Sequence, residues 1–309
     1  MHSPIKNTFR QRTRLFTPRY WPLWLALGLL WLITRLPYRA QLWIGRRLGD
    51  FAMPLLKSRR RVAGINLKLC FPEKGPEERH RLLRKHFRSM GIGIIEMGLC
   101  WWLPERRLKP LINIQGLEHL EQARAGGNGV ILLSGHFTTL ELGARLINMH
   151  VPITAMYRRN SNELLDHLIR TGRERHTDGR AIARDDVRGF IRALKAGRVI
   201  WYAPDQSSLT RFSEPTPFFG HPAQTPRATG RLARMSGAAV VPFFALRRPD
   251  GSGYDLRVSP PLECFPSDDP AHDAARVNAI IEDAVRLAPE QYLWVHKRFK
   301  KVPGWAPYG

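Results

Sequence analysis

Gly129-Val130-Ile131-Leu132-Leu133-Ser134-Gly135-His136 is the stretch that decides how this chain folds. It is apolar and branched from Val130 to Leu133, the composition of a strand covered on both faces. Gly135 permits a tight turn. Phe137 to Asn148 then takes up helical spacing, with Leu140, Gly143-Ala144 and Ile147 three and four residues apart. An imidazole is thereby delivered at a strand end. His136 and Glu141 form a His-x4-Glu pair, and a carboxylate about one helical turn beyond the ring is the geometry of an oriented general base. The carboxylate would hold the ring in one tautomer and favour the imidazolium formed on proton abstraction. Such a pair also arises by chance in a chain with 11 histidines, so its meaning rests on the strand-Gly-His-helix context and on what surrounds it.

After residue 110, strand patterns alternate with helical ones. Strands are expected at Val130–Ser134, Ile153–Tyr157, Arg198–Ala203, Ala239–Leu246 and Tyr254–Val258. Helices are expected at Leu140–Met149, Asn162–Arg173, Asp185–Ala196 and Arg227–Ser236, the last with Thr225-Pro226 as N-cap and first position. Val277, Ile280-Ile281, Ala284-Val285 and Ala288 mark one more packed helix face. This order predicts an α/β fold with a mainly parallel central sheet flanked by helices. The 309 residues divide into a basic helical region, 1–110, and an α/β core, 111–309, continuous with it. Ligands of open α/β sheets gather at the carboxyl ends of strands, where His136 falls.

The net charge of +23 is unevenly spread. Residues 1–110 hold 23 basic and 6 acidic residues, against 26 and 20 in the remainder. A basic N-terminal third points to an anionic partner, either nucleic acid or acidic lipid. Its apolar content favours lipid. Tyr20 to Thr34 carries no charge, holds three tryptophans and lies between Arg19 and Arg35. A helix over about residues 20–36 would be a marginal span of the hydrocarbon core or an interfacial anchor, with the body on the cytoplasmic side. Ala40 to Leu56 sets Leu42, Trp43, Leu48, Phe51 and Leu55 beside Arg46-Arg47 and the Lys57-Ser58-Arg59-Arg60-Arg61 cluster, a pattern that grips anionic headgroups. Cys100-Trp101-Trp102-Leu103 is either a further interfacial aromatic group or a helix packed on the body. No nucleic-acid-binding module is recognisable.

Other residues could complete a site. Arg158, at a strand end, could bind a phosphate or stabilise an oxyanion. Asp205, in the Pro204-Asp205-Gln206 turn, could orient Arg158 or a substrate group, or simply shape the turn. Phe218 and Phe219, in a Pro-rich loop, suit an acyl-chain pocket or the core. His221 and His296 read as structural. Cys70, Cys100 and Cys264 form neither a disulfide framework nor a metal cluster, and with no His-Glu-x-x-His or Cys-x-x-Cys no metal is expected. Ser134 sits in no nucleophile elbow, and Walker A and Gly-x-Gly-x-x-Gly loops are lacking. Direct attack by a substrate hydroxyl, deprotonated by His136, therefore needs the fewest assumptions.

The ordered series of motifs resembles the late acyltransferases of lipid A biosynthesis, the lauroyl-type enzymes in particular. It runs through Pro18-Arg19-Tyr20-Trp21, Asn66-Leu67-Lys68-Leu69-Cys70-Phe71-Pro72, and His136-Phe137-Thr138-Thr139-Leu140-Glu141-Leu142-Gly143. It continues through Tyr157-Arg158, Trp201-Tyr202-Ala203-Pro204-Asp205-Gln206, Leu232-Ala233-Arg234-Met235-Ser236-Gly237-Ala238 and Pro289-Glu290-Gln291-Tyr292-Leu293-Trp294-Val295-His296. The resemblance implies a glycerolipid-acyltransferase-like core and a His136–Glu141 dyad, with Arg158 and Asp205 in the second and third motif blocks. It implies acyl transfer, with no cofactor, from acyl-acyl carrier protein as co-substrate. The acceptor would be a hydroxyl of a (Kdo)2-lipid IVA-type precursor at the inner membrane of a Gram-negative bacterium. Asp205-Gln206-Ser207-Ser208-Leu209 departs from relatives, which often carry an acidic residue and Tyr-Gly there. Competing readings are a same-mechanism acyltransferase on another glycolipid, such as a phosphatidylinositol mannoside, a thioesterase on acyl carrier protein, and a basic nucleic-acid-binding protein.

Overall fold

Helices come first in this chain because its N-terminal third holds long apolar and amphipathic runs with few strand formers. The structure, a computed structural model, describes residues 15–157, 160–174, 181–183, 185–207 and 213–309. Helix α1 is Trp21–Ile33, α2 Tyr38–Leu55, α3 Lys57–Cys70 and α4 Pro76–Trp102. α1 is shorter than its apolar sequence predicts, with 13 residues and about 20 Å of length. No helix among the described residues is long and apolar enough to cross a membrane. α1 lays Leu27 and Leu30 inward, Leu30 against the Gly98 position of α4, while Trp21, Leu25, Leu29 and Leu32 face outward at helical spacing. α2 and α4 cross closely through Gly45, Gly49 and Gly91; a Cβ on Gly49 would lie 2.1 Å from the carbonyl oxygen of Phe87. Trp101, one of the aromatics considered for a lipid interface, is instead buried against Gly172.

A short helix, α5 (Glu105–Leu108), leads into the sheet, whose elements are β1 (Ile112–Gln115), α6 (Leu117–Ala125), β2 (Val130–Leu133), α7 (Leu140–Asn148), β3 (Ile153–Tyr157), α8 (Glu163–Glu174), β4 (Ile182–Ala183), α9 (Val187–Lys195) and β5 (Val199–Tyr202). A hairpin of β6 (Ser213–Phe218) and β7 (His221–Pro226) follows, then α10 (Ala228–Ser236), β8 (Ala239–Arg247), β9 (Tyr254–Val258) and α11 (Pro270–Leu287). The main sheet runs β1-β9-β8-β2-β5-β3-β4, parallel except where β8 meets β9. The expected mostly parallel α/β sheet is therefore present. β2 is fully buried along its length, as its unbroken Val-Ile-Leu-Leu run requires.

The structure differs from the sequence expectation at two places around the β6–β7 hairpin. Thr225 and Pro226 end β7 instead of capping α10, which starts at Ala228. The Phe218-Phe219-Gly220 stretch is the tight turn of a hairpin, with Phe219 at φ 50° and Gly220 at φ 75°. Both phenylalanines pack into the core, Phe218 on Tyr292 and Phe299, and Phe219 on Phe71 and Trp294.

His86 on α4 is fully buried, its Nδ1 3.2 Å from the carbonyl oxygen of Glu290, and burial lowers its pKa to about 4. Burial, then the charge of Lys300, lowers His296 to about 4 as well. Both rings bind their proton more weakly folded than unfolded, so stability is complete above about pH 6.5 and falls as pH drops toward 4. The Tm is expected to fall between pH 7 and 5, and the fall should be shallower in His86→Asn, which keeps a donor for Glu290. An identical pH slope in that variant would exclude His86 as a contributor.

Candidate active site

His136 stands three residues beyond Leu133, and Asp205 three residues beyond Tyr202; Leu133 and Tyr202 are register partners on adjacent parallel strands. The ladder extends by one more bond, Ser134 N–H to the Tyr202 carbonyl at 2.9 Å, before both chains turn. Equal overhangs from paired strands bring the two side chains together. His136 Nδ1 lies 2.5 Å from one Asp205 oxygen, and the His136 backbone N–H donates to the other at 2.9 Å. The loop is also held from the C-terminal segment: Thr138 N–H donates to the Gln291 carbonyl at 2.7 Å, and Leu293 N–H to the His136 carbonyl at 2.9 Å.

Asp205 is only 1% exposed. Burial alone would raise its pKa, but the His136 charge, two hydrogen bonds from His136 and the Arg298 guanidinium together hold it well below the usual carboxylate range. An ionised Asp205 accepts from Nδ1–H, so the imidazole keeps Nε2 as its free basic nitrogen. This is the arrangement expected of a general base, supplied by a different carboxylate from the one the His-x4-Glu spacing indicated.

Glu141 is turned away from that role. α7 begins at Leu140, so His136 lies outside the helix and the spacing of helical neighbours does not apply to the pair. The Glu141 carboxylate instead receives Arg173 of α8, with Nε at 3.0 Å and Nη2 on the second oxygen, while Arg173 Nη1 donates to the Met156 carbonyl at 2.9 Å. Arg173 closes the helical pattern from Asn162, but nothing in its spacing marks it as part of a site. Arg158 lies outside the described residues and keeps only the role that the resemblance implies.

A cleft of about 290 Å³ opens on His136. Leu140, Met156, Ile169 and Trp201 give it apolar walls, and Arg173 places a cation beside them. Phe218 and Phe219, considered for an acyl pocket, do not line it and belong to the core instead. The indole N–H of Trp201 has no hydrogen-bond partner among the described residues. A basic imidazole at the mouth of an apolar cleft can activate a hydroxyl or a water beside a hydrophobic chain.

Residues 9–301 match the family described as bacterial lipid A biosynthesis acyltransferase. The chain is 43% identical to the lipid A biosynthesis lauroyltransferase of Escherichia coli K12, covering 98% of this chain and 99% of that protein. It is 40% identical to the palmitoleoyltransferase of the same organism over 93% of each, and 33% identical to its myristoyltransferase over 93% of this chain and 90% of that one. Among solved structures, the 1-acyl-sn-glycerophosphate acyltransferase of Thermotoga maritima aligns over 74% of this chain and 97% of its own, at 12% identity and a TM-score of 0.37, too distant to bear on the site. This chain is an acyltransferase, and it belongs to the lipid A biosynthesis acyltransferase family.

Proposed function

We propose that the enzyme transfers a fatty acyl chain, laurate by preference, from acyl-acyl carrier protein to the hydroxyl of a primary 3-hydroxyacyl chain on (Kdo)2-lipid IVA. One observation carries the mechanism: a buried, ionised carboxylate holds His136 with Nε2 left basic at an apolar cleft. The choice of laurate follows the higher identity to the lauroyltransferase than to the myristoyltransferase.

In this reading Nε2 takes the hydroxyl proton as the oxygen attacks the thioester carbonyl. The tetrahedral intermediate collapses, the carbon–sulfur bond breaks, and the imidazolium returns the proton to the departing thiolate. Asp205 stabilises the imidazolium between these steps. Backbone amides or Arg158 would hold the oxyanion. Because base catalysis supplies only about 10²–10⁴-fold, positioning and oxyanion stabilisation must provide the remainder. The outward face of α1 (Trp21 is 62% exposed) and the Trp43, Phe51 and Leu55 stripe of α2 would lie in the cytoplasmic interface of the inner membrane, bringing the lipid acceptor to the cleft.

A product mass spectrum tests the reading. Detergent-solubilised enzyme given (Kdo)2-lipid IVA and a mixture of acyl-acyl carrier proteins is expected to add one acyl group, mainly lauroyl. Free fatty acid with unmodified lipid would make the enzyme a hydrolase or assign it another acceptor.

A further inference from the structure

α3 carries a basic stripe that the catalytic reading does not use. Lys57, Arg60, Arg61 and Lys68 recur at helical spacing along one face, with Gly64 between them. Together with His80 and Leu83 of α4 they line an open groove of about 660 Å³. A Cβ on Gly64 would meet nothing within 4 Å, so the floor is clear. No acidic residue lines the groove, and none of these cations has an ion-pair partner among the described residues. Like charges one turn apart repel, a cost that an isolated helix would shed by interleaving acids. An anionic partner removes that cost.

We propose that this groove docks the acidic face of the thioester carrier protein; the inference rests on the donor named in the proposed function. The exposed apolar side chains suited to a bilayer stop where the groove begins. Leu55 and Leu56 end the apolar face at the groove's edge, and from there to Ile94 no large hydrophobic side chain is exposed among the described residues. Along α4, His80 lies 18 residues before Gly98, where α1 packs, a separation of about 27 Å. A concave groove walled by four cations, in which Ile65 and Leu83 are the apolar lining and neither is an exposed large hydrophobic, offers a bilayer little anchor, but it matches a convex acidic helix. It is also tied to the site. On the opposite face of α3, Asn66 donates to the carbonyls of Trp294 (2.6 Å) and His296 (2.8 Å), next to Leu293, which holds the His136 loop. The carrier would therefore dock on the helix whose opposite face holds the segment that supports the His136 loop.

The test is the charge-reversal variant Lys57→Glu/Arg60→Glu/Arg61→Glu/Lys68→Glu, assayed in uncharged detergent micelles. Two lauroyl donors are compared: lauroyl-acyl carrier protein and lauroyl-pantetheine. KM for the carrier thioester is expected to rise at least tenfold and to lose its salt dependence, with kcat and all kinetics on lauroyl-pantetheine within twofold of wild type. Lys57→Gln/Arg61→Gln, which leaves the helix less perturbed, should show a smaller rise of the same kind. An unchanged carrier KM in both variants overturns the proposal. Loss of flotation with phosphatidylglycerol vesicles at unchanged carrier KM overturns it in favour of a bilayer contact. Wild-type transfer from the carrier establishes the donor independently of the groove; its absence, with transfer from pantetheine intact, would overturn donor and groove together.

Discussion

His136→Ala and Asp205→Asn are each expected to lower kcat by about 10²–10⁴-fold while leaving the fold and acceptor binding intact. The alanine removes the base outright. The asparagine is the more informative change, because its shape allows both contacts to persist. Its carbonyl oxygen can go on accepting from the His136 backbone N–H, while its amide donates to Nδ1. That reverses the tautomer and places the proton on Nε2, the nitrogen that must be free. Glu141→Ala is expected to act through Arg173, releasing a guanidinium at the cleft wall. In a double-mutant cycle, Glu141→Ala and Arg173→Ala should therefore be strongly non-additive with each other. Each should be additive with Asp205→Asn. Near-normal turnover in folded Asp205→Asn, beside collapse in Glu141→Ala, would return the orienting role to Glu141.

The position of His136 at a strand end was legible in the sequence, but its pairing with Asp205 was not. A buried strand closed by Gly135 puts His136 at a carboxyl edge whatever the rest of the chain does. Finding Asp205 requires knowing that β2 and β5 are neighbours and that Leu133 pairs with Tyr202. That register is set by packing between segments 69 residues apart in sequence, which local periodicity does not encode. The signal available was the equal overhang of three residues beyond each strand pattern, useful only once adjacency is known. The hairpin was hidden for a different reason. Pro215, Pro217, Pro222 and Pro226 lie within β6 and β7, and proline argues against a strand unless the strand has a free edge, as each does in a two-stranded ribbon. Phe218 and Phe219 then looked like loop aromatics available to a ligand, when hairpin closure turns them into the core.

Glu96→Ala is expected to destabilise the enzyme by about 3–5 kcal/mol, the range for removing one partner of a buried ion pair. Glu96 on α4 receives Arg247 of β8 through both carboxylate oxygens at 2.8 Å, and Tyr254 of β9 donates to it at 2.7 Å. Arg247 also donates to Ser89 at 3.1 Å. Truncating Glu96 leaves the guanidinium buried with a single remaining side-chain oxygen from this group, so the loss exceeds the worth of the pair itself. Glu96→Leu/Arg247→Met, which removes both charges, should recover much of the stability. The network also supports the loop that carries His136. Gln291 exchanges two 2.8 Å bonds with the Arg247 backbone while its own carbonyl takes Thr138 N–H, and Ser89 lies 2.7 Å from the Thr138 hydroxyl. Glu96→Ala should therefore lower kcat as well as Tm, even below its unfolding transition, because Thr138 is two residues from His136. A Tm loss with unchanged kcat would confine the pair to holding α4 on the sheet. Equal stability of Glu96→Ala and the charge-free double variant would mean that the stranded guanidinium finds water, and that the cost lies in packing rather than in an unpaired charge.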